Sequence, residues 1–161
     1  HFRQPANKIL EYLVNLDKEI KEKEKQLKKK QQQEEPTPID VNTMISRGSE
    51  INRVPVVIEF FETIDRKRLS TLADEVKLKT GGIAVLLTNL NGKSALVVSV
   101  ASPLTPRLNA GAISKAIAEC MKGSGGGRPD FAQAGGEPIE DFLKLKLQIA
   151  DIITRVMSNK L

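Results

Sequence analysis

The first part of the chain carries apolar side chains at alternating spacings of four and three residues. The stripe consists of Phe2, Ala6, Ile9, Leu13, Leu16, Ile20, Lys23 and Leu27, of which only Lys23 is polar. This spacing places the stripe along one side of a helix. The Lys and Glu residues between the stripe positions indicate that the opposite side of the helix is solvated. We therefore predict a long charged amphipathic helix, coiled-coil-like, within residues 1–35. It packs either against its own domain or against a helix from outside this fragment or from a second copy of the chain.

A polar run with two prolines, Pro36 and Pro38, follows the charged helix. Proline disfavours a helical conformation at the residue before it, so residues 36–43 are predicted to form a linker. The remaining residues, 44–161, are enough for one domain of ordinary size. We expect them to form a globular subdomain.

Apolar patterns in residues 44–161 predict a mixture of strands and helices. Strands are predicted at 54–61, 83–87 and 95–100, and helices at 69–76, at 111–121 and from Pro138 onward. The element order is then β-α-β-β-α-loop-α. This order predicts the α/β (α+β) class, with a small mixed sheet covered by helices.

Asn91-Gly92 is a strong signal for a tight hairpin between the second and third predicted strands. The following Lys93-Ser94 matches the end of a phosphate-binding P-loop. The first glycine of that motif is missing, however, because Leu87 stands in its place. A P-loop is therefore excluded.

Composition and charge narrow the range of partners. The net charge is +5, and residues 47–128 hold twelve basic and seven acidic side chains, a balance that favours a polyanionic partner. No apolar run is long enough to span a membrane, and a single cysteine fits a reducing, cytoplasmic setting. Because the chain begins at His1 rather than Met, we expect it to be a fragment of a longer protein.

Side chains for catalysis or metal binding are scarce in the sequence. His1 is the only histidine, and Cys120 lies on the apolar stripe of the predicted helix 111–121, where we expect it to be buried. Neither a His/Cys/Asp metal cluster nor a Ser-His or Cys-His pair is expected. We therefore predict a fragment without catalytic activity and without a cofactor of its own.

Residues 122–136, KGSGGGRPDFAQAGG, form a glycine-rich segment between two predicted helices. Glycine lets successive backbone N–H groups turn to one side, and such a concavity binds anions. Arg128 adds a guanidinium suited to phosphate or a base edge, while Asp130 and Gln133 can orient the loop or contact ribose and base groups. The N-terminus of the last helix, which follows the segment, adds positive dipole. The segment is therefore predicted to be a structured anion-binding loop.

Residues 125–136 resemble the signature of the C-terminal domain of alanyl-tRNA synthetases. The family's order of motifs continues in the strand at 93–98, the Pro-Leu-Thr-Pro-Arg segment at 103–107 and the Ala-Gly at 110–111 that opens a helix. The resemblance covers roughly residues 40–161. The domain is related to the DHH-associated nucleic-acid-binding domain, in which a GGGH-type loop contacts phosphates. Arg128-Pro129 in place of that histidine favours the synthetase branch.

The resemblance implies a tRNA-binding module of an alanine-tRNA ligase that holds the elbow of alanine-specific tRNA and helps couple aminoacylation with editing. It implies contacts with other domains of the parent synthetase and self-association through the helical part, so we expect a homodimer through residues 2–30. The single cysteine and the short apolar runs predict a cytoplasmic location and no membrane contact. ATP, magnesium and zinc would belong to parts of the parent enzyme outside this sequence. The RNA-binding residues expected are Gly125, Gly126, Gly127, Arg128, Asp130, Gln133, Gly135, Gly136, Arg107, Asn109, Lys115 and Lys122.

Two other functions fit parts of the sequence. The chain could be the substrate-binding half of a DHH-family phosphodiesterase or exonuclease, which needs an upstream metal-binding domain that this sequence lacks. It could also be primarily a dimerisation module, because of the apolar stripe at 2–27. The second alternative is compatible with tRNA binding.

Overall fold

The computed structural model describes residues 18–23 and 39–158. The chain divides into two units, and the boundary between them lies between Ile39 and Asp40. In the first unit, residues 18–23 are helical and exposed, and Ile20 is 50% exposed. The rest of the predicted long charged helix, with the packing predicted for it, lies outside the described residues.

The described part of the second unit combines four α-helices with one six-stranded sheet. Its elements are α1 (Val41–Ser46), β1 (Ser49–Ile51), β2 (Val54–Phe61), α2 (Arg66–Thr80), β3 (Ile83–Leu90), β4 (Lys93–Val100), a 3-10 turn (Ser102–Leu104), α3 (Ala110–Cys120), β5 (Ser124–Gly127), β6 (Phe131–Gly136) and α4 (Phe142–Ser158). The strands lie in the order β1-β2-β3-β4-β6-β5. Strands β2 and β3 are parallel, and the other neighbours are antiparallel. The predicted α+β class with a small mixed sheet is confirmed.

Helix α1 begins at Val41, inside the stretch predicted as linker. The Asp40 carboxylate caps it by accepting hydrogen bonds from the Thr43 hydroxyl (2.7 Å) and the Asn42 N–H (2.9 Å). Both hydrogen bonds stabilise the charged carboxylate, the one from Thr43 more strongly, and they hold the pKa of Asp40 below its usual value. Only Val41 and Met44 are buried in this helix. A helix of six residues is too short to show a repeating helical period in the sequence, which is why the sequence pattern missed it.

Helix α2 connects the parallel strands β2 and β3 and covers one face of the sheet. The Asp65 carboxylate caps its start by accepting from the Arg68 N–H (3.0 Å), and Gly81 ends it in the left-handed region at φ 64°. The residues it buries are Leu69, Leu72, Ala73 and Val76. Strand β3 lies beneath it and is buried at its first six positions. The first five residues of β3 are all apolar, as is typical of a strand that is covered on both faces.

The hairpin predicted at Asn91-Gly92 joins β3 to β4. Both residues have positive φ, 53° and 72°, and Leu90 pairs with Lys93 across the turn. Two left-handed residues in a two-residue turn match the right-handed twist of the strands on either side. The prediction of a hairpin here is confirmed.

Helices α3 and α4 cover the other face of the sheet and form one apolar cluster with it. Leu145, Ile149 and Ile153 of α4 are buried, while Phe142 and Val156, at helical spacing with them, are half-buried. Each fully buried aliphatic side chain contributes about 1.5–3 kcal/mol by leaving water. The two-sided burial therefore supplies the main driving force for the sheet.

Helix α4 begins at Phe142, so the prediction that it begins near Pro138 is wrong by one turn. Asn89 holds the intervening segment against β3: its side chain accepts from the Ile139 N–H and donates to the Ile139 carbonyl, both at 2.9 Å. Asp141 then caps the helix by accepting from the Lys144 N–H (3.0 Å). The start of α4 is set by a contact 50 residues away in sequence, which local pattern does not reveal.

Cys120 is exposed, so the prediction of a buried cysteine on α3 is wrong. The buried side of α3 is formed by Ala110, Ile113, Ser114, Ile117 and Ala118. This stripe repeats at three and four residues and leaves Cys120, at the last position of the helix, on the solvent side. The Cys120 thiol lies 3.6 Å from the Ala116 carbonyl oxygen.

The glycine-rich segment is a β-hairpin, not the predicted loop. Strand β5 pairs antiparallel with β6, and Gly127 lies opposite Ala132. The Arg128 N–H donates to the Phe131 carbonyl (2.8 Å) across the turn. Hydrogen-bonded and non-hydrogen-bonded pairs alternate in such a ladder, so Gly127 and Gly125 occupy non-hydrogen-bonded positions, where the two strands come closest.

Glycine is required at 125 and 127 because the strands approach too closely for a side chain. A Cβ added at Gly125 would overlap the Ala134 side chain, and one added at Gly127 would lie 2.5 Å from the Ala132 Cα. On the same side, a Cβ at Gly111 of α3 would lie 2.8 Å from the Gly127 carbonyl oxygen. Gly126 differs, since no heavy atom of the described residues lies within 4 Å of its added Cβ.

We expect Gly125→Ala and Gly127→Ala each to lower the free energy of unfolding by about 1–3 kcal/mol, because the methyl group overpacks the hairpin. Gly126→Ala is the matched control, and its stability should be unchanged or raised by up to about 1 kcal/mol, because alanine restricts the unfolded chain. Urea unfolding followed by circular dichroism measures all three. Equal stability of the three variants would show that the close approach does not exist in solution.

We also expect Gly81→Ala to lower the free energy of unfolding by about 1–2 kcal/mol, because a Cβ is unfavourable at the left-handed end of α2. Gly81→Asn should cost less, since asparagine tolerates this conformation. The added Cβ meets no neighbour within 4 Å among the described residues, so the backbone effect is isolated. An alanine variant as stable as the asparagine variant would contradict this assignment.

Candidate nucleic-acid interface

The β5–β6 hairpin forms one edge of the sheet and is fixed at both ends. At its base, the Gly123 N–H donates to the Ala118 carbonyl of α3 (2.8 Å). At its turn, the Ala110 N–H donates to the Pro129 carbonyl (2.9 Å), and the Val100 N–H donates to the Asp130 carbonyl (2.9 Å). The hairpin is therefore a fixed part of the sheet.

The predicted anion-binding concavity of backbone N–H groups is absent from this hairpin. Such a concavity needs residues in alternating right- and left-handed conformations, yet no glycine in the fully described stretch 123–136 has positive φ. The glycines are extended, and alternate N–H groups are used in the ladder between β5 and β6. Nor does the N-terminus of α4 add its dipole here, because α4 begins six residues after Gly136.

The turn of the hairpin carries an exposed cation of the predicted set. Arg128 has 77% of its side chain exposed, and its Nε lies 3.4 Å from the Asp130 carboxylate. Asn109, also predicted to bind RNA, lies at the nearby start of α3, where its side chain accepts from the Ala112 N–H (3.1 Å). That oxygen is therefore engaged as a helix cap. Arg107 is exposed two residues earlier.

The base of the hairpin carries an ion pair. The Lys122 Nζ lies 2.8 Å from the Glu137 carboxylate, and both side chains are exposed. The hydrogen bond to Glu137, assisted by charge attraction, raises the pKa of Lys122 above its usual value. Lys122 is thus fully charged at neutral pH, but Glu137 balances its charge. Gly136 packs against the Met121 backbone, where a Cβ would overlap it.

The twelve predicted residues do not converge on one point. Gln133 lies on the side of the hairpin that faces α2, and its Nε2 donates to the Ser70 hydroxyl (3.2 Å). Lys115 is exposed on α3, which packs on the opposite side, the one shared by Gly125 and Gly127. The predicted set is therefore divided between two faces of the hairpin as well as between its two ends.

Sequence reasoning missed the basic residues that approach the hairpin from other elements. The Arg66 guanidinium of α2 lies 3.3 Å from the position that a Cβ on Gly135 would take. Lys93 is exposed at the start of β4, next to β6 in the sheet. For Arg66 the sequence signal was the basic run 66–68, just before the predicted helix 69–76, and the proximity of that run to the hairpin depends on the sheet order.

A cleft of about 230 Å³ lies between the end of α3 and the start of α4. Cys120, Lys122, Glu137 and Asp141 are among the residues that line it. Across residues 18–23 and 39–158, no group of three or more His, Cys, Asp or Glu side chains is placed to hold a metal ion. Among those same residues, no helix has both the length and the apolar character needed to cross a membrane.

Comparison with known proteins gives consistent matches. Residues 53–154 match the model of the DHHA1 domain. The alanine-tRNA ligase of Fervidobacterium nodosum is 34% identical over 137 residues, which cover 85% of this chain and 14% of the ligase. That of Fusobacterium nucleatum subsp. nucleatum is 35% identical over 114 residues, 71% of this chain and 13% of the ligase. The chain therefore spans only about one seventh of the length of these relatives.

Two solved structures share the fold. The C-Ala domain from Aquifex aeolicus alanyl-tRNA synthetase superposes with a TM-score of 0.62 at 23% identity, over 66% of this chain and 97% of that domain. RecJ from Thermus thermophilus, in complex with Mg²⁺, gives 0.51 at 12% identity, over 71% of this chain and 17% of RecJ. The resemblance to alanyl-tRNA synthetases expected from the glycine motif is confirmed, and the chain belongs to the DHHA1 domain family.

Proposed function

We propose that this chain is a tRNA-binding C-terminal module of an alanine-tRNA ligase. Its family and its similarity to two alanine-tRNA ligases support this function. In the whole enzyme the module holds the elbow of alanine-specific tRNA and helps couple aminoacylation with editing. It acts in the cytoplasm, next to the other domains of the synthetase, and residues 2–30 contribute a homodimer contact.

The fixed hairpin with Arg128 at its turn is the observation that carries the proposal. Hydrogen bonds from α3 and β4 hold the turn, so little conformational freedom is lost when a ligand binds. The exposed guanidinium of Arg128 can make two parallel hydrogen bonds to a phosphate. The bound RNA is recognised by its shape and backbone, as expected for a folded RNA whose bases are stacked and paired.

The chemistry of the ligase is proposed to lie in other parts of the parent enzyme. ATP, magnesium and zinc bind there, and this module itself is without catalytic activity. Its role is to hold the RNA so that the same tRNA reaches both the aminoacylation and the editing site.

The substrate-binding half of a DHH-family phosphodiesterase or exonuclease is the second candidate. The likeness to RecJ favours it, but that likeness extends to the fold alone. The two candidates differ in what the gene encodes before His1. An upstream synthetase core supports the first function, and an upstream DHH-type metal motif supports the second.

We expect Arg128→Ala to weaken binding of an alanine-tRNA transcript and to reduce the slope of log affinity against log salt by about one unit, because one phosphate contact is lost. Filter binding across a salt series measures both quantities.

Arg155→Ala on α4 is the matched control for this variant. Arg155 is 76% exposed and paired with Asp151, as Arg128 is 77% exposed and paired with Asp130. The same charge and the same kind of ion pair are therefore removed away from the hairpin. If the two variants lose affinity equally, Arg128 makes no specific contact and binding is only a response to net charge.

A further inference from the structure

The hairpin leaves one of its two faces open beside α2. Helix α2 packs on β3 and β4, whereas the sheet continues past it into β6 and β5. Residues that lie opposite each other in neighbouring strands share a face. The floor of the open face is therefore formed by Phe131, Gln133 and Gly135 of β6 and by Ser124 and Gly126 of β5.

One stripe of α2 forms a wall along this floor. Arg66 lies against Gly135, Ser70 accepts the hydrogen bond from Gln133 (3.2 Å), and Asp74 accepts one from the Ser99 hydroxyl of β4 (3.0 Å). Positions four residues apart lie above one another on a helix, so these contacts place the same side of α2 along the hairpin. We call this floor and wall the α2 ledge.

Neither packing nor backbone conformation within the described residues requires glycine at position 126. Its φ is not in the left-handed region, and its added Cβ would meet no described atom within 4 Å. Gly125 and Gly127, in contrast, are required by the close packing of β6. A glycine that the fold itself does not need, on an exposed floor, suits a ligand backbone that approaches the peptide closely.

The charge of the α2 ledge is positive at one end and balanced elsewhere. Arg66 lies at the Gly135 end, and Lys93 shares that face because it is two residues before Ala95, the partner of Gly135. Neither cation lies within ion-pair distance of a carboxylate among the described residues. The ledge carboxylate Asp74 is paired with Lys77 (2.8 Å), so it does not cancel them.

We propose that the α2 ledge binds the phosphodiester backbone of the RNA, with Arg66 and Lys93 each contacting a phosphate and Gly126 in direct contact with the strand. This proposal rests on the tRNA-binding function proposed above and names the face of the hairpin that performs it. The ledge offers guanidinium, ammonium, amide and hydroxyl donors over a floor with few bulky side chains. Such a surface matches the acceptor oxygens of a ribose-phosphate strand.

The test compares two neighbouring cations of α2 in the full 161-residue chain. Arg66→Ala removes a positive charge from the ledge stripe. Lys67→Ala removes a positive charge from the next residue, whose side chain points about 100° away around the helix axis and so lies off the stripe. Filter binding of an alanine-tRNA transcript across a salt series gives affinity and slope. We expect Arg66→Ala to lower affinity about tenfold and the salt slope by about one unit, and Lys67→Ala to have a clearly smaller effect on both.

Gly126→Ala supplies a second, charge-free readout. The methyl group is accommodated in the free protein but would occupy the space proposed for the strand, so affinity should fall about tenfold while the salt slope stays unchanged. The urea midpoint of each variant, compared with the unsubstituted chain, shows whether it is folded.

The outcomes separate the ledge from the function on which it rests. If the unsubstituted chain fails to bind the transcript even at low salt, both proposals fall. If it binds, and Arg66→Ala and Lys67→Ala are equal while Gly126→Ala binds normally, the tRNA-binding function stands and the α2 ledge is overturned. A clearly larger loss of affinity for Arg66→Ala than for Lys67→Ala, together with a weakened Gly126→Ala, supports the ledge.

Discussion

The close approach of β5 to β6 is the constraint on which the edge of the sheet depends. Without side chains at Gly125 and Gly127, the two strands meet at a distance that any Cβ would prevent, and Gly111 lets α3 settle against the same strand. Hydrogen bonds at the base and turn join the hairpin to α3 and β4. A glycine-rich sequence, which in isolation would be flexible, is thereby held as a regular strand.

This packing divides the hairpin into a closed face and an open one. The closed face buries Ala132 and Ala134 in the main apolar cluster beneath α3. The open face projects beyond α2 and carries Gln133 and Gly126 toward solvent. The core on the other side fixes the geometry of this polar surface, so the polyanion proposed as its ligand would bind without the surface first having to be ordered.

The elements that followed a local rule could be predicted from the sequence. Strands β2 and β3, the Asn91-Gly92 turn and the apolar stripe of α4 each rest on periodicity or on a conformation that few residues adopt. Helix α1 was missed because its six residues are too few for a repeating period, and the start of α4 was misplaced because Asn89 holds the preceding segment. The exposure of Cys120 depends on which side of α3 meets the sheet, and several stripes are apolar enough to serve.

The sequence by itself determined the fold class, the positive charge and the family, because the glycine motif and the strand and helix periods are local properties of the chain. Only the tertiary structure decided what the glycines do. Their extended conformation comes from pairing with β6, and Gly126 differs from its two neighbours because only Gly125 and Gly127 lie on the face where Ala132 and Ala134 of β6 come too close for a side chain. The tertiary structure also places Arg66 beside the hairpin. Which elements lie next to each other across a sheet depends on the strand order, and residue spacing along the chain does not encode that order.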